Sequence, residues 1–210
     1  MEHKVSVITP SIRPEGLAPV RDSLLNQTFT DFEWLVEIGL QTHDLNAAFN
    51  RMLRRAKGEL IVFYEDWMKI EPEGVEKFWT AYQQDPYTFF TAPVGKTLDW
   101  KMVEWDWREH PASQMTWQGW EIDWGAAPLE CLKKIGGFDE AMDAGWAGDN
   151  VNVALRASMM HYNFKNLRDN PAIALDHNKL QQHPFNNKFN PVLMNERYDA
   201  IRQGETIKYI

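Results

Sequence analysis

Three groups of residues in this chain have the types and spacing to do chemistry. Glu65-Asp66-Trp67 follows an apolar β-rich run over 60–64, so two adjacent carboxylates leave the end of a strand together. Such a pair suits a hard divalent cation, which takes oxygen ligands and bridges phosphates; a solvated acidic turn has the same composition. Gly145-Trp146-Ala147-Gly148-Asp149-Asn150 places glycines, where backbone can approach a ligand closely, directly before a helix. Asp149 there caps the helix, presents a positioned carboxylate, or does both. His177 closes the run Leu175-Asp176-His177-Asn178 at a strand end, as a metal ligand or as a partly buried polar group. His183 is a weaker competitor, and His3, His43, His110 and His161 have no supporting context.

The surrounding sequence supplies the elements that must position these groups. Residues 5–9 read as a buried strand ending at Pro10, followed by a loop over 11–16 and a helix over 17–26. A second strand spans 32–38. Asp44 is placed to cap the next helix, in which Leu45, Ala48, Phe49, Met52, Leu53 and Ala56 recur at helical spacing until Gly58 stops it. A strand over 60–64, a helix opened by Pro72 and running to 84, and a strand over 88–94 follow. This alternation predicts an α/β fold with a mostly parallel sheet. In such sheets ligands bind outside the carboxyl ends of the strands, which gathers Pro10, Ser11, Glu37, Glu65 and Asp66 on one edge.

Residues 95–127 are Trp-rich and carry no clear period. Beyond them the sequence predicts a short helix over 128–135 ended by Gly136-Gly137, a helix from Asp149 to about 161, a strand over 172–176 and a helix over 192–203. With no linker in view, residues 1–210 read as one domain: a first half over 1–95, a second over 96–180 and a tail over 181–210.

Composition bounds the rest. The chain has 210 residues, 44% of them hydrophobic, and a formal charge of −8, which describes a globular protein and argues against nonspecific nucleic-acid binding. The single cysteine, Cys131, excludes an internal disulfide framework and points to a reducing, cytoplasmic setting. No apolar run approaches the ~18 residues of a membrane span, and Met1 leads almost directly into a strand, which leaves no room for a secretory signal. Ten tryptophans are the oddity: six, at 100, 105, 107, 117, 120 and 124, fall within 25 residues. Indole has a broad apolar face and one N–H, so it suits half-wet surfaces.

The order of these segments resembles the glycosyltransferases of family 2, which have the GT-A fold. Val5-Ser6-Val7-Ile8-Thr9-Pro10 with Arg13-Pro14 is similar to the family's first strand and loop. Ser23-Leu24-Leu25-Asn26-Gln27-Thr28 with Asp31-Phe32-Glu33, Asn50 with Ala56-Lys57-Gly58-Glu59, and Ile135-Gly136-Gly137-Phe138-Asp139-Glu140 look like further family segments. Glu65-Asp66-Trp67 falls where the family carries Asp-x-Asp, Trp146–Asn150 where relatives have W-G-G-E-D or W-G-G-E-N, and His177 at a late metal-binding histidine. The resemblance covers about residues 4–178. It implies transfer of a sugar from a UDP- or GDP-sugar to a glycan or other hydroxyl acceptor, with 1–95 binding the nucleotide and 96–180 the acceptor. A divalent metal, Mn²⁺ or Mg²⁺, would be held by Glu65, Asp66 and His177 and stabilise the leaving diphosphate. Pro10, Ser11, Arg13, Glu37, Asn50 and Glu65 would serve the donor, Asp149 and Asn150 the catalytic centre with Asp149 as base, and Trp120, Trp124 and Trp146 the acceptor sugar.

The chain departs from that pattern in three places. The third metal-motif position is Trp67, which cannot ligate. The second strand ends in Glu37 where two aspartates are usual, and 39–46 is too short for a strand that usually follows. Asn150 stands where many inverting relatives have the acidic base, and Asp149-Asn150 also resembles the Glu-Asn of retaining polypeptide N-acetylgalactosaminyltransferases, so inverting and retaining outcomes are both open. These departures feed a second reading, a degenerate protein that binds nucleotide-sugar or glycan without turnover. A nucleotidyltransferase ranks lower, since the loop after the first strand lacks a glycine run; a modified nucleic-acid base is retained among the hydroxyl acceptors.

Overall fold

The computed structural model describes residues 3–38, 44–109, 115–144, 148–175 and 191–210. Among the described residues, ten strands form two sheets. The larger has the order β2-β1-β3-β8-β5-β9, built from β1 (Val5–Ser11), β2 (Phe32–Ile38), β3 (Leu60–Tyr64), β5 (Thr88–Thr91), β8 (Trp124–Pro128) and β9 (Asn163–Asn166). β1 pairs in parallel with β2 and β3, and β5 in parallel with β9, while β8 alone runs antiparallel, between β3 and β5. The smaller sheet has the order β4-β10-β6-β7, from β4 (Met68–Ile70), β6 (Val94–Thr97), β7 (Glu104–Trp105) and β10 (Ala172–Leu175). The expected mostly parallel α/β sheet is therefore present. Its strands come from both sides of residue 95, since β8 and β9 complete the sheet begun by β1–β3 and β5.

Alternation along the central strands assigns side chains to two faces, as a sheet buried on both sides requires. Val5, Val7, Leu60, Val62, Tyr64, Phe90, Trp124 and Ala126 face one core, which is closed by α1 (Leu17–Leu25) and α3 (Gly74–Gln84). Ile8, Ile61, Phe63, Phe89 and Ala127 face the other, closed by α2 (Leu45–Arg55), α4 (Leu129–Lys134) and α5 (Asp149–Met159). The last helix, α6 (Pro191–Arg202), lays Tyr198 and Ile201 against Leu155 of α5. No described helix is long and apolar enough to cross a membrane.

Some local expectations are corrected. The strand expected over 88–94 is two strands, because Pro93 has no N–H for a ladder; β5 stays in the large sheet and β6 leaves for the small one. Asp44 precedes α2 without capping it and instead accepts from Arg51 Nη2 at 3.1 Å. The open N–H groups of Asn46 and Ala47 are met from afar by the two oxygens of Asp143, at 2.8 and 3.1 Å. Asp149 is the first residue of α5, and the position before it is Gly148, at φ +93°, a conformation other residues rarely adopt.

Two tryptophans expected on an acceptor wall are core residues. Trp120 and Trp124 are fully buried. Trp120 packs edge-on against Phe63 and Phe89 and donates its indole N–H to the Phe90 carbonyl at 2.9 Å. Trp124 packs against Tyr64 and Phe78 and donates to the Asn170 carbonyl at 2.7 Å. Both indoles have found a dry environment and a partner, so neither face is open to a sugar.

Asn50, expected beside the donor, is likewise fully buried in α2. Its amide donates to Phe138 O and to Glu140 Oε1, both at 2.9 Å, and its carbonyl accepts from Phe138 N at 2.8 Å. It thus pins α2 to the Gly137-Phe138-Asp139-Glu140 turn, where Asp139 is itself buried against Arg197 at 2.7 Å. Replacing Asn50 by Ala strands the Phe138 N–H and C=O away from water. The expected cost is about 2–4 kcal/mol, read as a fall of about 5–15 °C in Tm. An unchanged melting temperature would return Asn50 to the list of ligand-facing residues.

Candidate functional site

The parallel arrangement of β1, β2 and β3 brings their carboxyl ends to one edge, and the antiparallel β8 brings its amino end to the same edge. Tyr64 lies opposite Trp124 in the ladder, and the Glu65 N–H donates to the Asp123 carbonyl at 3.1 Å. Glu65 and Asp66, leaving β3, therefore meet Glu121 and Asp123, which enter β8. Glu121 and Asp123 are not marked as site residues by the local sequence. The only signal was their acidity in a Trp-rich stretch of no clear period, and nothing local marks a strand antiparallel to its neighbours.

At the β1 end, Ser11 and Arg13 turn to Asp66. The Ser11 hydroxyl donates to Asp66 Oδ2 at 2.7 Å, and the Arg13 guanidinium donates to Oδ1 at 2.9 Å and Oδ2 at 3.4 Å. Asp66 is buried, with both oxygens taken. Pro10 is buried in β1 directly before them. Beyond Asp66 the chain turns through Trp67 at φ +59°, whose indole rests against Gly16. A bulky residue in this region is strained, and such strain persists only where surrounding structure enforces it. The Trp67 backbone is held on both sides, accepting from Leu175 N and donating to Gly16 O.

Glu37, at the end of β2, receives Arg51 on one oxygen at 2.7 Å and Arg55 on the other at 2.9 Å. It anchors α2 to the sheet edge, and this pairing occupies the carboxylate expected to face the nucleoside.

The two residues at the start of α5 diverge. Asp149 hydrogen-bonds to Asn46 and neighbours Asp143 and Asp139; burial and these two carboxylates push it up to about 6, against the stabilising bond from Asn46. Asn150 turns the other way. Its amide donates to the Trp120 carbonyl at 2.6 Å and to Glu121 Oε2 at 2.9 Å. The structure thus joins Asn150 to the Glu121–Asp123 side of the edge and Asp149 to the α2 side. Trp146 and His177 lie outside the described residues, as does most of the 39–46 segment.

At the edge shared by β3 and β8, electrostatics single out two of the carboxyls. Glu65 is accessible to solvent, yet surrounding protein partly dehydrates it, and Asp123, Asp66 and Glu121 add like charge; together these hold it well above the usual carboxylate range, with Arg13 opposing. Glu121 is half-buried and is raised to about 7 by burial and by Asp123 and Asp106, with Arg108 opposing. Arg108 is the buried counter-charge: its guanidinium bonds Asp106, Asp123 and the Thr91 hydroxyl.

For a divalent cation the chemistry of the donor set fits in part. Glu65 is an accessible hard oxygen donor whose crowding a cation would relieve, while Asp66 already holds Arg13 and Ser11. Among the described residues no three His, Cys, Asp or Glu side chains are grouped to hold a metal.

Of the clustered tryptophans, Trp105 and Trp107 keep 41% and 42% of their surface exposed, on β7 and the turn after it. Trp100 is half-exposed under Lys69 Nζ, 4.2 Å from the ring centre. These, with the half-buried Trp117, are the described indoles of the Trp-rich region that are not fully buried.

No family model matches this chain, and no curated protein matches it. Solved structures do. The 1–349 fragment of TarS from S. aureus in complex with UDP-GlcNAc superposes with a TM-score of 0.68 at 15% identity, over 94% of this chain and 65% of that one. The same fragment in complex with UDP gives 0.63 at 16% identity, over 82% and 60%. The fragment without a named ligand gives 0.62 at 16% identity over the same shares. This chain thus spans less than two thirds of the fragment's length. The likeness shows the fold, the α/β GT-A arrangement with its mostly parallel sheet.

The raised carboxyls make a pH prediction. A carboxyl raised in the folded state holds a proton there that the unfolded chain has released. Its contribution is full below the ordinary carboxylate range and is lost as pH rises through the folded value. Glu65→Gln removes that loss. At pH 8 the variant should melt about 2–4 °C above wild type, a small shift because Glu65 is solvent-screened, and at pH 4 the two should coincide. Melting curves with the same gap at both pH values would show that Glu65 is not electrostatically crowded.

Proposed function

We propose that the protein transfers a sugar from a nucleotide-sugar donor to a hydroxyl acceptor. The observation that carries this reading is the convergence of Ser11, Arg13, Glu65, Asp66 and Glu121 on the carboxyl edge of the sheet, in a fold on which TarS holds UDP-GlcNAc. That edge is where open α/β sheets receive ligands. The UDP-GlcNAc and UDP complexes of TarS make UDP-sugars the first donors to try, ahead of GDP-sugars.

In this reading the ends of β1 and β2 seat the nucleoside, with Pro10, Ser11 and Arg13 shaping the floor. Arg13 brings a cation to the side on which the diphosphate departs, held in place by Asp66. A divalent ion, Mn²⁺ or Mg²⁺, would be held by Glu65 with His177, Asp66 being engaged by Arg13 and Ser11, and would supply Lewis-acid stabilisation of the diphosphate. The transfer is a single displacement with inversion, and the acceptor is a glycan or another hydroxyl compound, a modified nucleic-acid base included. Trp105, Trp107 and Trp146 are the indoles assigned to the acceptor sugar in place of Trp120 and Trp124. The lone buried thiol of Cys131 fits a cytoplasmic setting.

The second reading, binding without turnover, draws on one observation: the amide of Asn150 stands where inverting relatives carry a base, and it cannot accept a proton. One experiment separates the two. UDP and GDP are each titrated by calorimetry with and without Mn²⁺, and release of the nucleoside diphosphate is followed from a panel of UDP-sugars and GDP-sugars. Saturable UDP binding with slow release of UDP from at least one donor is expected, with release falling at least tenfold on chelation. Binding without release from any donor selects the second reading, and no binding of UDP or GDP removes both.

A further inference from the structure

The amide at the base position has a partner that changes its meaning. Asn150 uses one face of its side chain to hold Glu121, at 2.9 Å, and fixes itself on the Trp120 carbonyl at 2.6 Å. We infer that Glu121, oriented by Asn150, is the group that takes the proton from the acceptor hydroxyl. This rests on the glycosyl-transfer reading above and deepens it: a carboxylate from the loop before β8 stands in for the acid missing from α5.

The geometry argues for Glu121 over its neighbours. Asn150 has no basic atom for the task. Asp149 hydrogen-bonds to Asn46 and faces Asp143 and Asp139, on the α2 side. Asp123 is committed to Arg108, which bonds both its oxygens at 2.7 Å. Asp66 is committed to Arg13 and Ser11. Glu121 is half-buried beside the accessible Glu65, with Asn150 as its hydrogen-bonding partner and no arginine bonded to it among the described contacts. Trp120, on its amino side, is locked in the core, so the backbone that carries Glu121 is rigid. Asn150 is thus a positioning residue and Glu121 the proton acceptor.

The step balances without a further reagent. The acceptor oxygen forms a bond to the anomeric carbon of the donor sugar while its proton passes to the Glu121 carboxylate. The bond from that carbon to the diphosphate oxygen breaks, and its electron pair leaves with the nucleoside diphosphate. The proton on Glu121 is then released to solvent. The charged groups that face Glu121 are Asp123 at the start of β8, Asp106 and Arg108 from the turn after β7, and Glu65 at the end of β3. Burial first, then Asp123 and Asp106 against Arg108, raise the Glu121 carboxyl to about 7, within the range in which a general base works.

The test uses the full chain with UDP-GlcNAc as donor and water or a simple glycoside as acceptor, or the donor that turns over fastest in the panel. Glu121→Gln should lower kcat about 100-fold or more while leaving the Kd for UDP within about threefold of wild type. Wild-type kcat/KM should rise with pH through a midpoint at about 7, as Glu121 loses its proton, and this limb should vanish in Glu121→Gln. Asn150→Ala removes a donor that favours the charged carboxylate, so its limb should move to higher pH, an effect that a purely structural asparagine would not produce. If Glu121→Gln does not fold, the Asn150→Ala limb carries the test alone, and a limb that stays in place overturns the inference. A kcat for Glu121→Gln within about threefold of wild type, or a greater loss in Asp149→Asn than in Glu121→Gln, also overturns it and leaves the transferase reading standing. If wild type binds UDP but releases none from any donor, the transferase reading itself falls, visible before any variant is made, and takes this inference with it.

Discussion

The antiparallel insertion of β8 between β3 and β5 is the constraint on which the rest of this molecule depends. Every other neighbour pair in the large sheet is parallel, so without β8 the carboxyl edge would hold only residues that leave strands. β8 delivers residues that enter one. The ladder from Leu60↔Pro128 to Tyr64↔Trp124 fixes the register, and a slip of one residue would exchange Trp124 and Gly125 between the two faces of the sheet. Burying Trp124 and Trp120 on opposite faces, each with its N–H satisfied, makes that slip costly. The tryptophans that look like ligand residues therefore act one step earlier, by holding the backbone that carries Glu121 and Asp123.

That placement crowds negative charge. Glu65, Asp66, Asp106, Glu121 and Asp123 share the region with two arginines, Arg13 and Arg108. The arginines are not distributed evenly: Arg108, buried, ties down Asp106 and Asp123, and Arg13 ties down Asp66. Glu65 and Glu121 are the carboxyls left over, and both are pushed above the ordinary range. Burial and like charge that drive neighbouring carboxyls above their ordinary range recur where ionic or proton-transfer chemistry is carried out, and in structural ion-pair networks as well. The strained turn at Trp67, held between Gly16 and Leu175, sits at the same edge and adds to that picture.

Several motif residues have structural duties that their positions did not announce. Asn50 and Glu140, read as separate family segments, are bonded to each other. Asp143 caps α2 across almost a hundred residues of sequence. Glu37 anchors Arg51 and Arg55. In each case, Asp143 lying outside the family-like segments, a polar residue serves to satisfy buried backbone or a neighbouring charge, which is as strict a demand on residue type as ligand binding is.

Local sequence alone specifies the elements of residues 1–95 and the sheet edge at which Glu65 and Asp66 emerge. Strong apolar periodicity over 45–56, the β-rich runs at 5–9 and 60–64, and the punctuation by Pro10, Gly58 and Gly136-Gly137 are local signals, and they were legible because local backbone preference and burial agree there. Glu65 and Asp66 followed from the strand-end rule alone. Tertiary structure decided the remainder. Whether an indole is core or surface depends on what packs over it, so Trp120 and Trp124 could not be told from Trp105 and Trp107 by composition. Whether a carboxylate is available depends on which arginine reaches it, so Asp66 and Glu37 looked as open as Glu65. The partnership of Asn150 with Glu121 needed both the reversal of β8 and the start of α5, two segments 29 residues apart, and no periodicity within either one encodes the other.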